Sequence, residues 1–522
     1  MKINKIYLPL LIFACIAIGF LFGGIFMRIP LSKKQITENQ NKEKLNKLID
    51  FIDNEYVDNI NTDSIVEQTV NGILSKLDPH SVYIAKSDAQ EVAESMKGDF
   101  VGIGINFFVN KDTVTVIKPI AGGPSEKVGI KAGDRILSAN KQKLFGNKIS
   151  TDKLYSILKG KPDSEVAVTV FRKTTNKKFD VKIIRNIIPI KSIDIAIMLT
   201  KKVGYIKINR FAETTFTEFK IGLNKLQKQG AQELVLDLRD NGGGYLDQAV
   251  AIADEFLTDK KLIVFTKNKK KRIDKTFAST NGNFENGKVT VLINENSASA
   301  SEILAGAIQD NDRGLIVGRR SFGKGLVQRE MPFADGSNVR LTIARYYTPT
   351  GRSIQKSYTK GTEDYNNEYL KRYQNGEMYA KDSMKIADTL KFKTPKGRIV
   401  YGGGGIFPDV FVGLESTKGN EIISVLMQSG FVSNFVFKEI DKNRALLEKL
   451  NFDQIIAKVA ESEVIFKNFK SSIPEETLIN FDANKKYIKR YITAEFCRQL
   501  LGENQYYQVI LKEDVMVKKA LI

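Results

Sequence analysis

The chain has 522 residues, too many for one hydrophobic core, so several domains are expected. Its net charge is +20, yet Phe411 to the end holds 16 Lys+Arg against 15 Asp+Glu, so the basic excess lies before that point. Cys15 and Cys497 are the only cysteines and His80 the only histidine, which excludes a disulfide framework and leaves a His/Cys zinc site without ligands.

In chain order, Ile6–Met27 is apolar apart from three glycines, follows Lys2 and Lys5, and is long enough to cross a bilayer as a helix. The run ends in Met27-Arg28-Ile29-Pro30 with no small-x-small cleavage site, so residues 1–30 are read as an uncleaved membrane anchor in preference to a removed signal peptide. The region 31–95 is polar and helical in pattern, with Leu45, Leu48, Ile49 and Ile52 at helical steps and Ile65, Val66, Thr69, Val70 and Ile73 repeating them. It shows no chemistry, and Leu77-Asp78-Pro79-His80 reads as a turn.

Residues 96–188 change to short β-branched runs: Gly102–Phe108, Thr113–Lys118, Arg135–Ala139, Glu165–Arg172 and Phe179–Ile184. Two short helical patterns, Ser125–Val128 and Thr151–Leu158, interrupt them. With Phe100-Val101-Gly102-Ile103-Gly104-Ile105 and KAGDRIL, this stretch resembles a PDZ domain of the bacterial protease type. The resemblance implies that the loop Gly102, Ile103, Gly104 and Ile105 offers backbone N–H groups to a peptide's terminal carboxylate while the peptide adds a strand to the sheet edge.

From Lys202 strands and helices alternate: strand Val203–Ile208, helix Thr215–Gln229, then the continuously apolar strand Glu233–Leu238. That strand breaks into Arg239-Asp240-Asn241-Gly242-Gly243-Gly244 before a helix over Tyr245–Phe256. Such a turn presents free N–H groups; P-loop and Rossmann spacings are missing. The basic run Lys267–Lys275 has no interleaved aromatics, so it reads as a solvated hairpin attracted to acidic surfaces and not as a nucleic-acid site.

Strand Val289–Asn294 leads into Ser297, Ser299 and Ser301 at the start of a helix. Ser299-x-x-Glu302 also fits a capping box, which needs no catalysis. A serine hydroxyl attacks only when a base takes its proton, and a lysine is that base only when burial lowers its pKa. Lys324, bracketed by Gly323 and Gly325 and flanked by Phe322, Leu326 and Val327, suits such burial. Helix-starting amides from Ala300 onward, with an amide of Gly242–Gly244, suit an oxyanion.

Asn296–Ile303, Phe322-Gly323-Lys324-Gly325 with Gln328, LDLRDNGGG, Tyr346–Ile354 and GGGGIFPDV together resemble the carboxyl-terminal processing peptidases, the tail-specific S41-type serine proteases, over about Phe51 to Val412. The resemblance implies Ser299 as nucleophile, Lys324 as base, Gln328 as the residue orienting the lysine, and the amides of Ala300 and Gly243 as oxyanion donors. It implies no metal and no cofactor. It further implies polypeptide substrates recruited by their carboxyl-terminal tails, and a catalytically silent PDZ scaffold is the rival reading. Lys159 departs from relatives that carry an arginine there. The expected architecture is multidomain α+β: the anchor, helical elements over 31–95, a PDZ domain over 96–188, a crotonase/Clp-like α/β protease core over 189–412 and a helical tail of unknown role over 413–522. Anchoring in inner-membrane lipid places the catalytic part in the periplasm or another extracytoplasmic space. Self-association into a homo-oligomer stays open.

Overall fold

A computed structural model describes residues 40–110, 112–146, 149–384, 390–414 and 421–522. The expected anchor Ile6–Met27 lies outside these residues. Among the described residues no helix is long and apolar enough to cross a membrane. The chain divides into two compact units, up to Ile73 and from Leu74 onward. The first unit's described part is the helix Gln40–Glu55 followed by Thr62–Leu74, which runs one residue into the second unit.

The second unit is organised on a sheet with strand order Ile193–Met198, Val203–Ile208, Glu233–Asp237, Lys288–Ile293, Leu315–Gly318 and Val410–Phe411. Its first pair is antiparallel and all later pairs are parallel. Parallel strands need both faces covered, and two different parts of the chain do this. The helices Thr215–Lys228, Leu246–Asp254 and Ala300–Asp310 pack on one face around Phe219, Leu236, Val291 and Leu304. On the other face Leu511, Met516, Val517 and Ala520 of the last two helices pack on Tyr205, Val235, Leu292 and Val317. The tail is therefore a structural layer of the core.

A second, mixed-origin sheet joins Val82–Ile84 to Asn338–Tyr347, which also pairs with Leu326–Pro332 and with Leu262–Asn268. Residues 31–95 thus do more than form helices, because Val82–Ile84 is a strand of the sheet that Leu326–Pro332, just after Lys324, also joins. The basic run forms the exposed hairpin between Leu262–Asn268 and Ile273–Phe277.

The PDZ region forms a sheet from Ile105–Asn110 to Lys177–Ile184 with the helix Thr151–Leu158 packed on it. The expected strand Gly102–Phe108 is split, since Asp99–Gly102 pairs with Asn186–Pro189 and Ile105–Asn110 starts a separate sheet. Gly104, with φ +72°, makes the break. In the tail, the helix Phe431–Lys442 is followed by the short helical turn Arg444–Leu447. Apolar periodicity at Phe435, Val436 and Ile440 carries the longer helix, which buries them. Asp441 at its end pairs with Arg135 at 2.7 Å and Lys173 at 2.9 Å of the PDZ region.

Candidate active site

Strand Lys288–Ile293 ends at the sheet edge, and Ser297 and Ser301 are consumed there by structure. Ser297 Oγ donates to the Leu238 carbonyl at 2.8 Å and Ser301 Oγ to the Asn241 carbonyl at 2.9 Å, and both are fully buried. Ser299 differs. It is half-buried, and its backbone sits at φ 56° and ψ −113°. A non-glycine residue with positive φ is strained by its Cβ, and such strain concentrates at functional sites.

The expected capping box is present at this helix start. Glu302 Oε2 accepts from Ser299 N at 2.8 Å, while Glu302 N donates to the Ser299 carbonyl, also at 2.8 Å. Ile303 N donates to that carbonyl as well. The N–H of Ala300 has no acceptor among the described residues.

Lys324 shares a cavity of about 430 Å³ with Ser299, Gly242, Gly243, Gly244, Met96 and Gln328. Two buried groups tie the two backbones together. Glu302 Oε2 accepts from Lys324 N at 2.8 Å as it does from Ser299 N, and the Tyr346 hydroxyl lies 3.0 Å from the Ser299 carbonyl and 2.5 Å from that of Lys324. Glu302 Oε1 also accepts from Ser321 Oγ at 2.5 Å and Gly323 N at 2.7 Å. Burial pushes the Glu302 carboxyl up to about 7, against the pull of those four hydrogen bonds.

Lys324 Nζ donates to Gln328 Oε1 at 2.9 Å, and Gln328 Nε2 donates to the His80 carbonyl. Burial, aided by the nearby Arg340 cation, lowers the lysine's pKa. Among the described residues Lys324 has no ion-pair partner. The neighbouring Lys356 does, donating to Glu368 Oε2 at 3.0 Å under the Phe322 and Tyr365 rings. No hydrogen bond joins Ser299 Oγ to Lys324 Nζ; catalytic bonds of this kind often tighten only with substrate in place.

Gly243 lies against the serine at φ +100°. A Cβ there would meet Ala298 O and Ser299 Cβ at 2.8 Å and Ala300 N at 3.0 Å. Its N–H donates to Asn241 Oδ1 at 2.9 Å, so Ala300, and not Gly243, presents a free donor in this structure. The turn before it is fixed by Arg239, which forks onto Asp237 and reaches Asp514 of the tail at 2.7 Å. We expect Gly243→Ala to lower turnover on the order of a hundredfold, because it displaces Ser299 by steric contact. A rate within threefold of the parent, in a peptide assay on folded protein, contradicts this.

At the PDZ loop, Gly102 is paired in a strand with Asn186, and Ile103 and Gly104 are buried. The Ile103 carbonyl accepts from Ser125 N and Oγ, and the Gly104 carbonyl from Ile120 N. Ile105 begins the strand whose outer edge is unpaired among the described residues. Lys159 Nζ pairs with Glu94 at 2.5 Å beside the Phe100 ring. The structure places Ser299, Lys324 and Gln328, which the sequence singles out, around one cavity. Sequence reasoning missed Glu302 as a hub, Tyr346 and the His80 carbonyl. Tyr365, Arg372, Glu377 and Met378 are buried beside the Phe322–Gly325 loop.

Comparison with known proteins agrees with this arrangement. Residues 202–365 match peptidase family S41, 101–183 a PDZ domain, 28–88 the N-terminal domain of the activating protease CtpB, and 422–502 a family of unknown function. The chain is 35% identical over 349 residues to a carboxy-terminal-processing protease of Bartonella bacilliformis, covering 64% of this chain and 79% of that protein. It is 34% identical over 334 residues to a probable CtpA-like serine protease of Staphylococcus aureus, covering 63% and 66%. Among solved structures it is similar to a photosystem II D1 C-terminal processing protease, with 26% identity, coverage of 72% and 87%, and a TM-score of 0.37. These matches are to PDZ-bearing serine-type peptidases. The chain belongs to the carboxy-terminal-processing proteases of peptidase family S41.

Proposed function

We propose that this protein is an endopeptidase with a Ser299–Lys324 dyad that cuts polypeptides whose carboxyl-terminal tails are recruited by the PDZ domain. The observation that carries the reading is a partly buried lysine of lowered pKa, with no ion-pair partner among the described residues, in the same cavity as a serine of strained backbone. Unprotonated Lys324 Nζ takes the Ser299 proton as Oγ attacks the scissile carbonyl carbon. The oxyanion is received by Ala300 N–H, and by Gly243 N–H once it leaves Asn241. Collapse breaks the C–N bond, the lysine's proton passes to the leaving amine, and an acyl-serine remains. Water, deprotonated by Lys324, then attacks the ester and frees Ser299. Gln328 orients the lysine throughout. No metal or cofactor enters these steps.

The edge of Ile105–Asn110, unpaired among the described residues, supports tail recruitment as an added strand. The apolar segment Ile6–Met27 supports anchoring in the inner membrane, with the catalytic part in an extracytoplasmic space.

The test is cleavage of an unfolded protein with an apolar carboxyl terminus by full-length protein in mild detergent. Ser299→Ala and Lys324→Ala are expected to abolish cutting, and Ser297→Ala to leave the hydroxyl chemistry in place. Equal cutting by all variants refutes the dyad, and no cutting by the parent favours the scaffold. Because the lysine must be unprotonated and its pKa is lowered, turnover is expected to rise with pH well before the ordinary lysine range. Arg340→Met removes a cation that favours the neutral form, so it is expected to move that rise to higher pH.

A further inference from the structure

Gln328 sits between a group that donates and a group that only accepts. Lys324 Nζ gives a proton to Oε1, and Nε2 gives one to the His80 carbonyl. These two partners select the same orientation of the amide. Inversion would place an N–H donor against Lys324 and occupy the lone pair that must receive the serine proton. It would also set an amide oxygen against a carbonyl oxygen. Orientation of the amide therefore decides whether Lys324 is available as a base.

The carbonyl that imposes this orientation lies in a turn far away in sequence, and the turn is strongly held. Asp78, 8% exposed, accepts from His80 N and Ser81 N at 2.9 Å each, from Ser81 Oγ at 2.6 Å and from Thr342 Oγ1 at 3.1 Å. Ser81 Oγ in turn accepts from Thr342 N at 3.1 Å. Thr342 is the cross-strand partner of Gln328, so the turn is pinned directly opposite the residue it orients. On its other side His80 Nε2 meets the Tyr365 hydroxyl at 2.7 Å, and the imidazole stands edge-on to the Tyr365 and Phe322 rings. Burial and the Lys324 cation press the imidazole down to about 4, so the ring is neutral near neutral pH and brings no charge towards the base.

We infer that the turn Asp78–Ser81 is a positioning element of the active site, which fixes the Gln328 amide through the His80 carbonyl and so keeps the Lys324 lone pair free for Ser299. The inference rests on the dyad reading above and adds to it a part of the chain outside the peptidase core. His80 acts here through its backbone, and the single histidine is not the base.

A double-mutant cycle tests it, read as kcat and KM on a quenched fluorescent peptide with an apolar carboxyl terminus, using full-length protein in mild detergent. Asp78→Ala is expected to lower kcat about 10- to 100-fold with KM within about twofold, much as Gln328→Ala does. In the Gln328→Ala background Asp78→Ala is expected to cost less than about twofold more, since the group it orients is gone. Thr342→Val, which removes one of the four bonds to Asp78, is expected to show the same non-additivity at about 3- to 10-fold. It replaces Asp78→Ala in the cycle if thermal melting shows that variant unfolded. Equal losses in both backgrounds overturn the inference, because a general structural role does not depend on Gln328. A parent-like rate for Gln328→Ala also overturns it. Neither result touches the dyad, which Ser299→Ala and Lys324→Ala decide separately.

Discussion

Glu302→Gln is expected to lower kcat on the order of a hundred- to a thousandfold while leaving the protein folded. The ionised carboxylate accepts four hydrogen bonds, from Ser299 N, Lys324 N, Gly323 N and Ser321 Oγ. A glutamine keeps the volume but turns one oxygen into a donor, so it faces buried N–H groups with another N–H. Each buried donor left unsatisfied costs about 1–3 kcal/mol, and the groups released are the backbones of Ser299 and Lys324. Ser321 also accepts from Ile406 N at 2.6 Å, so the disturbance extends to the GGGGIF turn. The control is pH. The folded-state pKa of Glu302 is raised to about 7 from 4.5, so the folded state binds the proton more tightly than the unfolded chain. Its contribution to stability is fully present below 4.5 and is lost as pH rises through about 7. Urea unfolding across that window is expected to show this loss in the parent and not in Glu302→Gln. An unchanged kcat for Glu302→Gln contradicts the hub role.

The largest effect on stability is expected at the far end of the same helix. Arg352 and Asp310 are fully buried and joined at 2.6 Å, and Arg352 also reaches Gln309 Oε1 at 2.8 Å and the Tyr401 carbonyl at 2.6 Å. Asp310 further accepts from Thr350 N and Oγ1. Asp310→Ala strands a guanidinium that cannot lose its proton and is expected to cost about 3–5 kcal/mol of unfolding free energy. Replacing both partners by apolar residues of similar volume is expected to recover much of this loss, because the desolvation cost disappears with the charges. Urea denaturation of the single and double variants measures the difference. A single-variant loss below about 1 kcal/mol would show that water reaches the pair.

Much of the site was legible because its signals are local. Lys288–Ile293 is a short apolar run with a helix start just beyond it, and such a run, read with its flanks, marks a buried parallel strand. Lys324 between two glycines advertised close packing in four letters. The PDZ stretch was legible too, except for the break at Gly104, since the β-forming Phe100, Val101, Ile103 and Ile105 around it conceal a positive φ that only the folded backbone displays.

What the sequence determined by itself, then, was the periodicity of the elements, three candidate serines narrowed to Ser299 by the family resemblance, the candidate lysine, and a scarcity of histidine and cysteine that leaves a zinc site without ligands. The tertiary structure alone decided which polar groups are buried and with whom they pair. Glu302 three residues after Ser299 read as an ordinary cap, because its other partners, Ser321, Gly323 and Lys324, arrive from about twenty residues further on. Asp78 and His80 read as a plain turn, because their meaning depends on Thr342 and Gln328 more than 240 residues away. The tail read as a set of unassigned helices, and became a layer of the core only when its apolar face met the open side of a parallel sheet. Hydrogen bonds and burial are long-range in sequence, and a residue's local neighbours carry no record of them.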